Sequence, residues 1–160
     1  MESYQPQGHA SLRGVMLREF IAFGIRLTGG DILAFARKYE KVAPHTWRPP
    51  RGWLFEKVRL PGGAFVEYLE PDPCRRRDTV ILQLHGGGYT LGFLPEFQRR
   101  SDDLARLGNN VPVVSLDYRI APEYPYPAAL EDAIQAIDWL KSAKGLDPGS
   151  IVTIGESAGA

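Results

Sequence analysis

The chain has 160 residues, 44% of them hydrophobic, which is enough for one domain with a buried core. Its 19 basic residues balance its 19 acidic ones, and no basic stripe interleaved with aromatic side chains predicts a nucleic-acid surface. The single cysteine, Cys74, excludes an internal disulfide and is interpreted as a surface thiol in a polar loop. Because no residues have zinc-ligand spacing, we expect neither a metal nor a cofactor.

Residues 1–45 predict a helical segment. Apolar side chains from Leu12 to Leu27 recur at steps of three and four, Gly29-Gly30 follows, and Asp31 is placed to cap a second helix ending near Val42. The apolar run within the first helix is too short to span a bilayer, and no secretion signal precedes it. We therefore expect a cytoplasmic protein, with contact between these helices and a membrane surface as an alternative.

Residues 46–160 predict alternating strands and helices after a proline-rich connector. Pro61-Gly62-Gly63 joins two strand-forming runs as an antiparallel hairpin. The later runs indicate strands covered on both faces and helices with one apolar face. The predicted elements are strands at 53–60, 64–70, 80–84, 111–116 and 151–154, and helices at 96–107 and 128–144.

A glycine run follows the predicted strand Val80–Leu84. It reads His85-Gly86-Gly87-Gly88-Tyr89. Successive glycines let backbone amides point into a cavity without side chains in the way, as a site that stabilises an oxyanion requires.

A second motif ends the sequence. Gly155-Glu156-Ser157-Ala158-Gly159 has the G-x-S-x-G pattern of a nucleophile elbow, in which a serine projects from a sharp turn between a strand and a helix. Gly155 and Gly159 allow two backbones to pass closely there. The sequence between His85 and Ser157 has room for two strand and helix units, and the two motifs together predict an acyl-transfer site.

These motifs, with Asp117-Tyr118-Arg119-Ile120-Ala121-Pro122-Glu123 between them, resemble the hormone-sensitive-lipase-like branch of the α/β-hydrolases, which contains many carboxylesterases. The resemblance extends over about Val80 to Ala160, while residues 1–45 match only loosely, as a helical cap over the site. It implies an α/β fold with an antiparallel hairpin beside parallel strands. One departure is Glu156, where the branch usually has Asp, although the carboxylate is kept.

The resemblance also implies roles for individual residues. Ser157 would be the nucleophile, and the amides of Gly87, Gly88 and Ala158 would hold the oxyanion. His85 and Gly86 would support the oxyanion loop, and Gly155, Glu156 and Gly159 would shape the elbow. Arg119 would form ion pairs with neighbouring acids, so Asp117 and Glu123 are interpreted as structural. The substrate would be a small-molecule ester.

The resemblance does not identify a catalytic acid or a catalytic histidine in this sequence. They follow the serine in this fold, but the sequence has only three residues after Ser157. The histidines present are His9, His45 and His85, and none is favoured as a base. We therefore expect the N-terminal portion of an esterase, with little or no activity of its own.

The alternative is a non-catalytic protein that binds a small ligand on the same scaffold, because fold does not determine function. The position that would distinguish the two lies beyond Ala160. The oligomeric state and the particular ester stay open.

Overall fold

The computed structural model describes residues 11–42 and 46–160. Its contacts form two compact units, Met1–Tyr39 and Glu40–Ala160, and the domain boundary expected after residue 45 stays a prediction. The helices are α1 (Leu12–Leu27), α2 (Ile32–Val42), α3 (Pro95–Leu107) and α4 (Ala128–Lys144), and the strands are β1 (Leu54–Arg59), β2 (Phe65–Glu70), β3 (Val80–Leu84), β4 (Val113–Asp117) and β5 (Ile151–Gly155). Two short 3-10 turns, Pro148–Ser150 and Ser157–Gly159, flank β5.

The two N-terminal helices form where the sequence predicts them. After α1, Gly29 and Gly30 adopt φ angles of +69° and +88°, and the Gly30 amide donates to the carbonyl of Ile25 at 3.0 Å. Asp31 caps α2, since its Oδ1 accepts a hydrogen bond from the amide of Ala34 at 3.0 Å. Among the described residues, none of the helices combines the length and hydropathy that crossing a bilayer would need.

The five strands form one mixed sheet in the order β1-β2-β4-β3-β5. β2 pairs antiparallel with β1 and β4, and β3 pairs parallel with β4 and β5. The hairpin is therefore the antiparallel edge expected beside parallel strands. β5 is the opposite edge within the described residues, and its Val152 and Ile154 are exposed.

The strand boundaries differ from the prediction by one residue at most, except at the start of β4. The strand expected from Val111 begins at Val113. Pro112 precedes it, and proline has no amide to donate to a neighbouring strand. Its carbonyl still accepts a hydrogen bond from the amide of Ile81 at 3.0 Å, so the chain is already beside β3 before the ladder begins.

α3 and α4 cover opposite faces of the central strands. Val80 and Leu82 pack in one cluster with Ala136 and Leu140 of α4. The alternating residue Ile81 packs in another with Ala105 of α3, as expected for side chains that alternate along a strand. The strands β3 and β4, which carry the glycine loop and the Arg119 segment, are thus fixed from both sides.

A buried polar cluster lies between α3 and the sheet. Gln83 Oε1 accepts hydrogen bonds from the hydroxyls of Ser101 and Ser115 at 3.1 and 3.0 Å. Gln83 Nε2 donates to the carbonyl of Phe97 at 3.3 Å. Each polar atom of the Gln83 amide therefore has a partner, which offsets the cost of burying it.

Neighbouring side chains of α4 form hydrogen bonds with two segments that are distant from each other in sequence. The carboxylate of Asp132 is fully buried and accepts hydrogen bonds from Nε of Arg119 at 3.0 Å and from its backbone amide at 2.9 Å. Glu131 adds a longer ion pair to Arg119, at 3.4 Å, so the expected pairing of Arg119 with neighbouring acids is present. Gln135 Oε1 accepts a hydrogen bond from the amide of Gly62, in the β1–β2 turn, at 2.7 Å.

We predict that Asp132→Ala lowers the free energy of unfolding by about 3 kcal/mol or more, because it leaves the largely buried guanidinium of Arg119 without its main partner. Asp138→Ala, on the same helix, removes one member of the solvent-exposed pair that Asp138 forms with Lys141. That change is expected to cost less than about 1 kcal/mol. Urea unfolding of both variants measures the difference, and equal losses would contradict a structural role for the Arg119–Asp132 pair.

Candidate active site

The register of β3 and β5 brings the two sequence motifs together. Leu84 and Gly155, the last residues of these parallel strands, are register partners. The amide of Glu156 donates to the carbonyl of Leu84 at 3.2 Å. Because the carboxyl ends of parallel strands meet at one edge of a sheet, the glycine loop and the serine turn begin side by side.

The serine turn has the backbone conformation of a tight elbow. Ser157 has a φ of +52°, a left-handed conformation that is uncommon outside glycine. A Cβ added at Gly159 would overlap the carbonyl oxygen of Leu84 and lie 2.7 Å from that of His85. A Cβ at Gly155 would overlap the carbonyl oxygen of Gly159. The close backbone passage that the sequence predicts at these two glycines is therefore present.

The glycine loop lies directly against this turn. A Cβ added at Gly86 would lie 3.0 Å from the carbonyl oxygen of Glu156 and 3.4 Å from Cβ of Ser157. Ser157 itself is exposed. The two motifs thus converge to within van der Waals contact, with the serine accessible to solvent.

Positive φ angles shape the rest of the loop. Gly87, Gly88 and Tyr89 have φ angles of +126°, +60° and +59°. The carbonyl of Gly87 accepts hydrogen bonds from the amides of Thr90 and Leu91, both at 3.0 Å. Within residues 11–42 and 46–160, no turn or loop carbonyl accepts a hydrogen bond from the amides of Gly87, Gly88 or Ala158.

His85 is buried beneath the loop and does not reach the serine hydroxyl by any hydrogen bond in the described residues. Its ring stacks on Tyr118 with centroids 4.0 Å apart, and Phe93 and Phe97 pack around it. Nδ1 lies 2.7 Å from the carbonyl oxygen of Gly86, so this nitrogen carries the proton. Burial lowers the pKa of His85, which favours the neutral ring, and its Nε2 has no hydrogen-bond partner among the described residues.

Hydrogen bonds join the loop to the segment after β4. The Tyr118 hydroxyl donates to the carbonyl of His85 at 2.6 Å. The amide of Ala121 donates to the carbonyl of Tyr89 at 2.7 Å. The three sequence blocks behind the predicted resemblance are therefore in direct contact.

One ion pair at the elbow has no signal in the sequence. Arg100 on α3 forms a salt bridge with the carboxylate of Glu156, the residue before Ser157. The resemblance implies a place for Glu156 in the elbow but no partner for its carboxylate. The carboxylate of Glu156 thus contacts α3, the helix on the opposite face of the sheet from α4.

A cavity of about 500 Å³ lies beside the elbow. It is mainly apolar, with Tyr89, Leu130, Thr153 and residues 158–160 in its wall. Leu130 and Ile134 of α4 are exposed near it. The side of the sheet next to β5 therefore has an open apolar surface in the described chain.

The remaining cysteine and histidine residues do not form a second reactive site among the described residues. Cys74 is half-buried and not on the surface as predicted, and burial raises the pKa of its thiol, which disfavours the thiolate. His9 and His45 lie outside the described residues. Within the described residues, no three His, Cys, Asp or Glu side chains are grouped as a metal site would require.

A mixed sheet with a serine turn and a glycine loop at adjacent strand ends is typical of the α/β-hydrolase fold. Comparison with known proteins agrees. The model of the α/β-hydrolase fold family matches residues 81–160. The chain belongs to this family, and its relatives lie in the hormone-sensitive-lipase-like esterase branch.

The relatives of the chain include esterases of known sequence and structure. Esterase LipI of Mycobacterium tuberculosis is 39% identical over 102 residues, which are 62% of this chain and 32% of LipI. An ethyl acetate hydrolase of Pseudomonas putida is 38% identical over 83 residues, which are 50% of this chain and 26% of that protein. The structure of an esterase from the archaeon Pyrobaculum calidifontis superposes with a TM-score of 0.67 at 29% identity, covering 90% of this chain and 49% of the esterase.

An esterase structure from the bacterial hormone-sensitive lipase family gives a TM-score of 0.62 at 30% identity, covering 88% of this chain and 47% of that one. The chain spans about a third of the length of the curated relatives it matches and about half of the solved ones. The fold prediction is confirmed by these comparisons.

We predict that Gly159→Ala destabilises the chain by about 1–3 kcal/mol, because the new methyl group would overlap the backbone of β3. Gly149→Ala is the matched control, since a Cβ at Gly149 meets nothing within 4 Å, and its effect should stay within about 0.5 kcal/mol. Thermal and urea unfolding report both values. Equal stability of the two variants would mean that the elbow and β3 are not in contact.

Asp117, at the end of β4, leads to a prediction of how the stability of the chain depends on pH. Burial raises the pKa of Asp117 to about 6, although Lys57 opposes the shift. The folded chain therefore holds a proton that the unfolded chain releases above about pH 4. The contribution of Asp117 to stability is greatest below that value and is lost as the pH rises through about 6, by at most about 3 kcal/mol.

Asp117→Asn removes this titration, so its free energy of unfolding should fall less between about pH 4 and pH 7 than that of the unmodified chain. Urea unfolding across this range measures both profiles. Parallel profiles would show that Asp117 titrates normally in the folded chain.

Proposed function

We propose that this polypeptide carries the nucleophile and the oxyanion-binding loop of a carboxylic-ester hydrolase. The observation that supports this most directly is the contact between Gly86 and the turn at Ser157. Because this contact sets the serine of the elbow beside the glycine run, it supports a role for the glycine amides in oxyanion binding. Family membership and the esterases among the relatives support the same reaction class.

In this reaction Ser157 Oγ attacks the carbonyl carbon of an ester, and its proton passes to a base. The carbonyl oxygen becomes an oxyanion, which the amides of Gly87, Gly88 and Ala158 stabilise. Collapse of the tetrahedral intermediate expels the alcohol and leaves an acyl-serine that water hydrolyses. Removing one oxyanion donor typically costs about 3–4 kcal/mol of transition-state stabilisation.

His85 supports the loop in this proposal and is not the base. A base must accept the serine proton across a hydrogen bond, whereas the His85 ring is stacked on Tyr118 and its Nδ1 faces the carbonyl of Gly86. Its neutral, buried ring instead fills the space beneath the glycines. Gly155, Glu156 and Gly159 shape the elbow that presents the serine.

We propose that the acid and the histidine lie on polypeptide beyond Ala160. Two observations support this. This chain covers 47% and 49% of two solved esterases, so about half of each lies outside the matched part. The edge strand β5 and the α4 side chains Leu130 and Ile134 also leave an apolar surface exposed beside the elbow. In a complete enzyme this surface would be covered by further strands and helices.

The proposal predicts different behaviour for the isolated chain and for a complete enzyme. The chain ending at Ala160 should hydrolyse a short-chain nitrophenyl ester no faster than its Ser157→Ala variant, because no base reaches Ser157. A version extended by the downstream coding sequence should hydrolyse the ester, with at least about a thousandfold loss in Ser157→Ala. Initial rates with both pairs measure this directly.

A fluorophosphonate provides the second measurement. In the extended protein it should form a covalent adduct on Ser157 that mass spectrometry locates in the Gly155–Gly159 peptide. An extended protein that binds esters but neither hydrolyses them nor forms the adduct would favour the alternative, a ligand-binding protein on the same scaffold. Turnover by the chain ending at Ala160, abolished by Ser157→Ala, would contradict the assignment of the base to a later segment.

A further inference from the structure

Two main-chain carbonyls, one at each end of the glycine run, accept hydrogen bonds from the segment that follows β4. The carbonyl of His85 accepts one from the hydroxyl of Tyr118 at 2.6 Å. The carbonyl of Tyr89 accepts one from the amide of Ala121 at 2.7 Å. The glycines between these two carbonyls are therefore held at both ends by the single segment 118–121.

The carbonyl of His85 lies where the glycine loop meets the elbow. His85 is buried, and its carbonyl belongs to the peptide that leads into Gly86. A Cβ added at Gly159 would lie 2.7 Å from this carbonyl oxygen. On the other side of the same peptide, a Cβ added at Gly86 would lie 3.4 Å from Cβ of Ser157. A rotation of this peptide would therefore move the start of the glycine run relative to the serine.

Contacts on either side of Tyr118 fix its position. It follows Asp117, the last residue of β4, and precedes Arg119, which donates two hydrogen bonds to the buried carboxylate of Asp132. The ring of Tyr118 stacks on that of His85 with an angle of 4° between their planes. A donor held in this way need not be reordered when a reaction takes place.

Packing alone does not account for the hydroxyl of Tyr118. Phe93 and Phe97 also pack around the ring of His85, and neither carries a hydroxyl. Burial raises the pKa of Tyr118 to about 12, so the hydroxyl keeps its proton and stays a donor at neutral pH. The contact that a tyrosine makes here, and that a phenylalanine would lack, is the hydrogen bond to the loop.

We propose that Tyr118 is a positioning residue for the oxyanion loop. Its hydroxyl fixes the peptide that leads into Gly86, and through it the direction of the amides of Gly87 and Gly88. This proposal rests on the ester-hydrolase function proposed above. The amides stabilise an oxyanion only from a narrow range of positions, and a displacement of about 1 Å can cost about a hundredfold in rate.

The test compares two variants that each remove one buried hydroxyl. Tyr118→Phe removes the hydrogen bond to the loop and keeps the stacked ring. Tyr68→Phe is the matched control, because Tyr68 on β2 is 5% exposed, as against 4% for Tyr118, and donates to the carboxylate of Glu70 at 2.7 Å. Both should lower the urea midpoint of unfolding, since each leaves an acceptor without its donor. A loss of activity confined to Tyr118→Phe is then not a stability effect.

The kinetic measurements use the protein extended by the downstream coding sequence. Tyr118→Phe should lower kcat for a short-chain nitrophenyl ester by at least about tenfold and change KM by less than about twofold. Tyr68→Phe should change neither by more than about twofold.

A trifluoromethyl ketone probes the oxyanion directly. Ser157 Oγ bonds to its carbonyl carbon, the serine proton passes to the base, and the carbonyl oxygen becomes an oxyanion. The inhibition constant should rise in Tyr118→Phe by about the factor by which kcat/KM falls. A residue that served only to stabilise the fold would not produce this correlation.

Nuclear magnetic resonance of the 160-residue chain tests the geometry without a reaction. The backbone order parameters of Gly87 and Gly88 should be about 0.85 in the unmodified chain and fall to about 0.6 or below in Tyr118→Phe. In Tyr68→Phe they should keep the value of the unmodified chain.

Two results would overturn the inference. One is a Tyr118→Phe protein that hydrolyses the ester and binds the ketone as well as Tyr68→Phe does. The other is an unchanged order parameter at Gly87 and Gly88. An extended protein without esterase activity in its unmodified form would instead refute the proposed function, and the order parameters would still decide whether Tyr118 holds the loop.

Discussion

The parallel pairing of β3 with β5 is the constraint on which the candidate site depends. The two strands are distant in sequence, and their register sets Leu84 opposite Gly155. A shift of one residue would move every β5 side chain to the other face of the sheet. It would also displace the serine turn from the glycine loop by a full residue. The proposed chemistry therefore rests on main-chain hydrogen bonds between strands more than on any side-chain contact at the site.

The environment of His85 shows how a polar residue can serve a structural purpose. An imidazole beside a reactive serine would ordinarily be examined first as a base. Here burial among aromatic rings lowers its pKa, and the Gly86 carbonyl fixes the tautomer. The ring fills a space under the loop that three glycines cannot fill themselves. Stacking on Tyr118 then joins the loop rigidly to the strand end beyond it.

Sequence patterns were sufficient to predict the helices and strands and to locate the two motifs. Strand-forming runs, the capping Asp31 and the glycines after helices are local signals, and each was confirmed. The conformation of the elbow could also be anticipated, because G-x-S-x-G permits little else at Ser157. Whether the serine and the loop perform ester hydrolysis stays a prediction.

Sequence patterns could not show which residues that are distant in sequence contact each other. Nothing adjacent in sequence indicates that Arg100 pairs with Glu156, or that Gln83, in an otherwise apolar strand, meets Ser101 and Ser115. The half-buried position of Cys74 likewise depends on packing between segments. The exposure of apolar side chains on α1, such as Met16 and Phe20, required coordinates too, since their periodicity alone is equally typical of a helix packed against a core.

The hydrogen bond between Gln135 and Gly62 couples parts of the chain that are 73 residues apart. Because Asp132 lies one helical turn before Gln135, α4 contacts the hairpin turn and the Arg119 segment with the same stretch of helix. Opening the hairpin would therefore release that part of α4 as well, and the two should exchange their amide protons as one cooperative unit. Variation in the β1–β2 turn would consequently alter the motion of the part of α4 that lines the cavity beside the elbow.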